Sequence, residues 1–153
     1  MSTHPTGGTP VMLKKILSAT AVSLAIASSA LAAPADDAKA HFNAIATGDV
    51  SAIMQQYGAQ PVLEWVGGPL DGTYVGADKV REAWGKFTKG NPNLKVSADK
   101  VEESANPKGA TVTANVVFQG QSAIKVRYVL TYRDGKIVDE IWQIDPKLAA
   151  AAY

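Results

Sequence analysis

The chain contains no cysteine, which excludes a disulfide framework, a lipid-attachment cysteine, a thiol nucleophile and thiolate-ligated zinc. Histidine is nearly as scarce. Only His4 and His41 are present, and His4 falls in a segment read below as a removable leader, so multi-histidine metal sites are excluded. Charge of one sign is also missing: 15 Lys and Arg stand against 14 Asp and Glu, a formal net charge of +1. Without Lys14 and Lys15 the balance is 13 to 14, near −1, and no basic patch of the kind nucleic acid favours is evident. There is no Gly-x-Ser-x-Gly elbow, no glycine-rich phosphate loop and no carboxylate cluster at metal-ligand spacing. No cofactor, metal or nucleic-acid partner is therefore expected.

A long apolar run is absent too. Lys14 and Lys15 precede an apolar stretch from Ile16 to Ala27, and Ala30-Leu31-Ala32 then fits the small-x-small cleavage rule. The stretch is rich in Ala and Ser and too weak for a span of about 20 strongly apolar residues. It predicts a secretory leader over residues 1–32, because a cut after Ala33 would put Pro34 beside the scissile bond. Residues 1–11 carry no charge and two prolines, so Met12 is an alternative start. The mature chain of about 120 residues suits one domain. It is expected to be periplasmic or secreted, with no stable membrane anchor after cleavage. Residues 33–36 read as a linker, 37–146 as the domain and 147–153 as a frayed Ala-rich tail.

Hydrophobic spacing divides the domain into elements. Asp36 and Asp37 supply an N-cap and favourable charge for a helix over Ala38–Thr47, with Ala38, His41, Phe42 and Ile45 on one face and Gly48 at its end. Asp49 caps a second helix whose Val50, Ile53, Met54 and Tyr57 share a face. Pro61–Val66 reads as a strand, Gly67-Gly68-Pro69 and Asp71-Gly72 as a turn, and Thr73–Val75 as a short returning strand. A third helix spans Ala77–Lys89, with Val80, Ala83, Trp84 and Phe87 inward and Glu82 able to pair with Lys86. Gly90-Asn91-Pro92 stops it. Four strands follow: Leu94–Glu103, Ala110–Gln119, Ala123–Tyr132 and Ile137–Ile144. The order α-α-β-β-α-β-β-β-β predicts an α+β fold in which a strongly curved mixed or antiparallel sheet wraps around three N-terminal helices and encloses a pocket.

The last hairpin has two registers. A two-residue turn at Asp134-Gly135 is the default, but it sets Trp142 opposite Arg127 and mixes charge into both faces. A three-residue loop, Arg133-Asp134-Gly135, pairs Tyr128 with Glu140, Val126 with Trp142 and Leu130 with Val138. That gathers Ile124, Val126, Tyr128, Leu130, Val138, Glu140, Trp142 and Ile144 on one side. Burial should select the cleaner segregation, so the three-residue loop is expected.

Gly48-Asp49 between two short helices, and Leu70-Asp71-Gly72-Thr73-Tyr74-Val75-Gly76 leading into the third, resemble the nuclear transport factor 2-like superfamily. Arg133-Asp134-Gly135-Lys136-Ile137-Val138 ahead of a Trp-bearing strand is similar to its SnoaL-like branch. The likeness covers about residues 37–145, and the order of short motifs carries it. It implies a cystatin-like α+β cone with a deep pocket, and a homodimer through the sheet's outer face. It implies no single activity, since members include ketosteroid isomerases, polyketide cyclases, dehydratases, epoxide hydrolases and non-catalytic binders. By the same resemblance, His41 stands where the isomerases carry a tyrosine and Trp65 where they carry a general-base aspartate. The last-strand acid of the cyclases and epoxide hydrolases falls at Trp142. An indole cannot abstract a carbon-bound proton, so an isomerase or aldol cyclase of the known kind is not expected.

Two groups remain for acid–base chemistry. Histidine is the side chain suited by its chemistry to acid–base work, which singles out His41, and Glu140 lies on the expected inner face opposite Tyr128; as a pair they would need to meet within about 3 Å or one water. Glu64 adjoins Trp65 but points the other way by strand alternation. Trp65, Tyr74, Trp84, Tyr128, Trp142 and Tyr57 are expected to converge as ligand-binding rings around a small apolar or polar-aromatic molecule. The alternatives are a lyase, isomerase or hydrolase using His41 and Glu140, and a structural or interaction domain whose rings fill their own pocket.

Overall fold

The computed structural model describes residues 32–149 together with Thr3, Gly7 and Gly8. The leader predicted over residues 1–32 and tail residues 150–153 lie almost wholly outside the described residues. The elements run α1 (Pro34–Thr47), α2 (Val50–Gln55), β1 (Tyr57–Val66), β2 (Gly72–Val75), α3 (Ala77–Gly90), β3 (Lys95–Asn106), β4 (Gly109–Gln119), β5 (Ala123–Arg133) and β6 (Lys136–Ile144). This is the predicted order, a mixed α+β architecture of helices followed by a curved, unclosed sheet.

α1 begins earlier than its apolar spacing suggests. Pro34 at the first position has no N–H to satisfy, and the N-cap, Ala33, makes no side-chain bond. The carboxylate of Glu103 on β3 instead accepts the Ala35 N–H at 2.9 Å. Asp36 and Asp37 occupy the first turn, where the helix dipole favours them, rather than the cap. Residues 34–36, read as linker, are thus helix. Gly48 ends α1 at φ 75°, a left-handed position that glycine takes without steric cost. Asp49 caps α2 by accepting from Ala52 N at 3.0 Å. Tyr57, assigned above to the second helix, instead opens β1, because α2 stops after six residues.

The six strands form one sheet in the order β2-β1-β6-β5-β4-β3. β1 and β6 pair in parallel and the other neighbours antiparallel. Register shifts between Tyr57 and Val62, between Asp99 and Glu102, and between Thr131 and Tyr132 supply bulges that bend a sheet. Helices and the inner sheet face share one core, which takes Phe42 and Ile45 from α1, Ile53 from α2, and Val80, Trp84 and Phe87 from α3. Beyond β6, Leu148 is 3% exposed while its neighbours Lys147 and Ala149 are exposed; the rest of the segment read as a frayed tail lies outside the described residues. Among the described residues no helix is long and apolar enough to cross a membrane.

The final hairpin departs from the expected loop. Asp134 and Gly135 both have positive φ, 50° and 72°, as a two-residue type I′ turn requires, and Arg133 pairs with Lys136. Val138 is then left without a partner at a bulge, after which Leu130 pairs with Glu140, Tyr128 with Trp142 and Val126 with Ile144. Each predicted partner is therefore off by two residues. Two is the side-chain period of a strand, so the inner face survives the error. Val138 is the exception: Ile137, 0% exposed, takes its inward place.

Candidate functional site

Successive rows of inner-face residues build the site. One row runs Leu63, Glu140, Leu130 and Val112 across β1, β6, β5 and β4; the next runs Trp65, Trp142, Tyr128 and Ala114. Over the first row α1 lowers His41, one turn after the buried Ala38. His41 and Glu140 are 0% and 1% exposed, and His41 Nε2 lies 3.1 Å from Glu140 Oε1 and 3.3 Å from Oε2. Tyr57 donates its hydroxyl to Oε2 and Tyr128 donates to Oε1. The Trp84 indole N–H donates to the Tyr57 oxygen at 2.7 Å, which commits the single hydrogen of that hydroxyl to Glu140.

Glu140 is thus an acceptor toward three donors, close to the capacity of a carboxylate. Burial, then the adjoining Glu140 charge, pushes the Tyr57 and Tyr128 phenols well above their ordinary range. Both stay protonated donors through neutral pH. Tyr132, inward and 2% exposed, is raised by burial and then by Glu140 and Asp37. Three buried polar atoms meet no protein partner among the described residues: His41 Nδ1, the Tyr132 hydroxyl and Trp142 Nε1. Each such atom costs about 1–3 kcal/mol if left unpaired.

Above this layer the rings close on one another. Trp142 stacks between Trp65 (centroids 4.6 Å apart) and Phe118 (5.1 Å). Trp84, Phe87 and Tyr128 meet it at steep angles, 5.5, 5.1 and 5.5 Å away. A cavity of about 350 Å³ lies over these rings, lined by Trp65, Leu70, Phe87, Trp142 and Ile144, with Lys86 the one charged side chain. Gly68 keeps a neighbouring wall thin: at φ 76°, a Cβ there would lie 2.9 Å from Ile144 Cδ1. A larger groove of about 730 Å³ at the end formed by the start of α1 and the β3–β4 and β5–β6 turns is of another character. It carries Asp37, Glu103, Lys108, Asp134 and Lys136.

Of the expected site residues, Trp65 and Trp142 line the apolar cavity. His41, Glu140, Tyr57, Tyr128 and Trp84 meet in the sealed network beneath, so these side chains bond one another where a deeper pocket was expected. Tyr74 belongs to neither group. It sits half-buried on the edge strand β2 and donates to the Leu70 carbonyl at 2.7 Å. Glu64 faces outward as expected and accepts from Thr73 Oγ1 at 2.7 Å. Sequence reasoning missed Tyr132, although continuing the Tyr128, Leu130 alternation by one step would have found it. It also missed Leu70 and Lys86, which periodicity cannot flag as lining. Among the described residues no group of three or more His, Asp or Glu could hold a metal.

The sequence pattern of the SnoaL-like domain matches residues 38–140. No curated protein matches the chain. Solved structures share the fold at low identity. A proposed dehydratase of the nuclear transport factor 2-like family from Streptomyces avermitilis is 14% identical with a TM-score of 0.60, over 72% of this chain and 92% of that one. A Nostoc punctiforme protein with a cystatin-like fold is 14% identical with a TM-score of 0.58, over 74% and 89%. A proposed polyketide cyclase from Sinorhizobium meliloti is 20% identical with a TM-score of 0.50, over 71% and 94%.

Proposed function

The chain belongs to the SnoaL-like domain family, and from that premise we propose that it binds a small, largely apolar molecule in the cavity over Trp65 and Trp142. The observation that carries this is the cavity itself. Its volume of about 350 Å³ falls in the ~300–1,000 Å³ range of small-molecule sites, and its walls are apolar but for Lys86 and Asn91. The hydrogen-bonded layer beneath acts as a rigid floor. Calorimetric titration with 2-ethylnaphthalene tests it. One molecule should bind per chain, and Leu70→Glu, which puts a charge on the half-buried cavity wall, should weaken binding at least tenfold; absence of binding refutes the proposal.

A second reading has its own support. His41 and Glu140 lie 3.1 Å apart, within proton-transfer reach, as a lyase, isomerase or hydrolase would need. The proposed cyclase and dehydratase among the fold neighbours suit that class. Against it, both groups are buried and neither lines the cavity. Turnover abolished in both His41→Ala and Glu140→Gln with probe binding intact would favour the enzyme. The third reading, a structural or interaction domain, draws on how completely the rings Trp84, Trp142, Tyr128 and Phe118 are buried.

Export and pairing are part of the same proposal. A leader cut after Ala32 would leave α1, which starts at Pro34, whole; an exported chain whose mass begins at Met1 or Met12 would refute the cut. Exposed Val66, Val75 and Ile141 lie on the strands β1, β2 and β6, where a second copy could cover them.

A further inference from the structure

We infer that the guest of this cavity carries an anionic group, such as a carboxylate, at one end, and that the Lys86 ammonium at the cavity mouth is its counter-charge. The inference rests on the binding role proposed above and names the ligand class. Lys86 lines the cavity, yet its side chain is 60% exposed, so it stands at the mouth, where solvent and guest both reach it. Its ammonium ends a flexible four-carbon stem, and a lysine lays that stem along an apolar rim while the head stays in water. Every other lining residue is uncharged. Asp71, next to Leu70 in the chain, does not line the cavity and accepts the Gly67 N–H at 2.7 Å. The Lys86 head is also free to turn. It donates to Glu82 Oε1 at 2.8 Å, across one turn of α3, while Lys79 lies 3.5 Å from Glu82 Oε2. Both pairs are exposed, and such pairs are worth about 0.2–1 kcal/mol each. Glu82 keeps Lys79 when Lys86 swings over the mouth, so the move leaves no charge without a partner. A guest whose apolar body fills the cavity and whose anionic end faces the mouth gains that partner. A cationic guest of the same shape meets like charge there.

The test compares 2-naphthoate with 2-acetylnaphthalene by calorimetry, near-isosteric probes in which a charged oxygen replaces a methyl group. Raising NaCl from about 20 mM to about 300 mM should weaken 2-naphthoate relative to the ketone, because an exposed ion pair is screened. Lys86→Met keeps the length of the stem and deletes the charge. At low salt it should shift the affinity ratio against 2-naphthoate by about threefold. Lys86→Glu reverses the sign and should shift it on the order of tenfold, whereas Lys86→Arg should keep the wild-type ratio. Lys89→Met removes an exposed charge three residues on that does not line the cavity, and should also leave the ratio as in wild type. Binding of 2-acetylnaphthalene without 2-naphthoate, a ratio unmoved by Lys86→Met, or an equal shift in Lys89→Met overturns the inference while leaving the binding role standing. Failure of 2-naphthoate, 2-acetylnaphthalene and 2-ethylnaphthalene alike overturns the binding role and the inference with it.

Discussion

Glu140→Gln perturbs the centre of the molecule with almost no change in volume. The carboxylate takes three donors, from Tyr57, Tyr128 and His41. An amide offers one oxygen, and its NH₂ end then faces a group that must itself donate. Tyr57 cannot turn away, because its oxygen already accepts from Trp84 at 2.7 Å. At least one hydroxyl and the imidazole lose an acceptor in a site only 1% exposed. Breaking a buried, hydrogen-bonded pair by altering one partner costs about 3–5 kcal/mol. At about 4 °C per kcal/mol for a domain of this size, Tm should fall by roughly 12–20 °C. Urea unfolding followed by circular dichroism measures the change, with an unaltered m-value showing that the transition itself is the same. Glu64→Gln, which disturbs only an exposed bond to Thr73, is the control and should cost under about 0.5–1 kcal/mol. A neutral or stabilising Glu140→Gln would refute the structural account of the layer, and would mark an acid kept for chemistry at the expense of stability.

Alkali should unfold the protein through its phenols. Tyr57 and Tyr128 are raised well above 10.0 in the fold, so above that pH the unfolded chain releases protons that the folded one retains. Their stabilising contribution is complete below about pH 10 and is lost as pH rises through the folded values; a flat Tm from pH 9 to 11 would contradict this, and Tyr128→Phe should lessen the slope. Gly68→Ala forces a side chain into φ 76° and toward Ile144 Cδ1; it should cost about 1–2 kcal/mol and weaken 2-ethylnaphthalene binding through the displaced Ile144, as urea unfolding and calorimetry would show.

How far the sequence reached can be traced through individual residues. Spacing and turn chemistry placed every helix and strand in order, because Gly48, Gly67-Gly68 and Gly90-Asn91-Pro92 fall where the chain must change direction. The inner face of the last hairpin was legible and its partners were not. A bulge at Val138 compensates the tight Asp134-Gly135 turn, and nothing local in the sequence announces it. His41 and Glu140 were identifiable as unusual because each is a polar residue within an apolar stripe. That they bond each other depends on how α1, packed on β3 and β4, brings His41 over to Glu140 of β6, a tertiary fact. The degree of filling was equally invisible: one list of aromatic residues suits a hollow cone or a stacked one, and only the ring contacts of Trp65, Trp142 and Phe118 decide between them.

The binding role is tested most directly by native mass spectrometry of the protein taken gently from the compartment in which it resides. A non-covalent adduct of small-molecule mass, present on the wild-type chain and lost in Leu70→Glu, is the predicted result. A bare chain in both proteins, with added 2-acetylnaphthalene and 2-ethylnaphthalene leaving its mass unchanged, would contradict it.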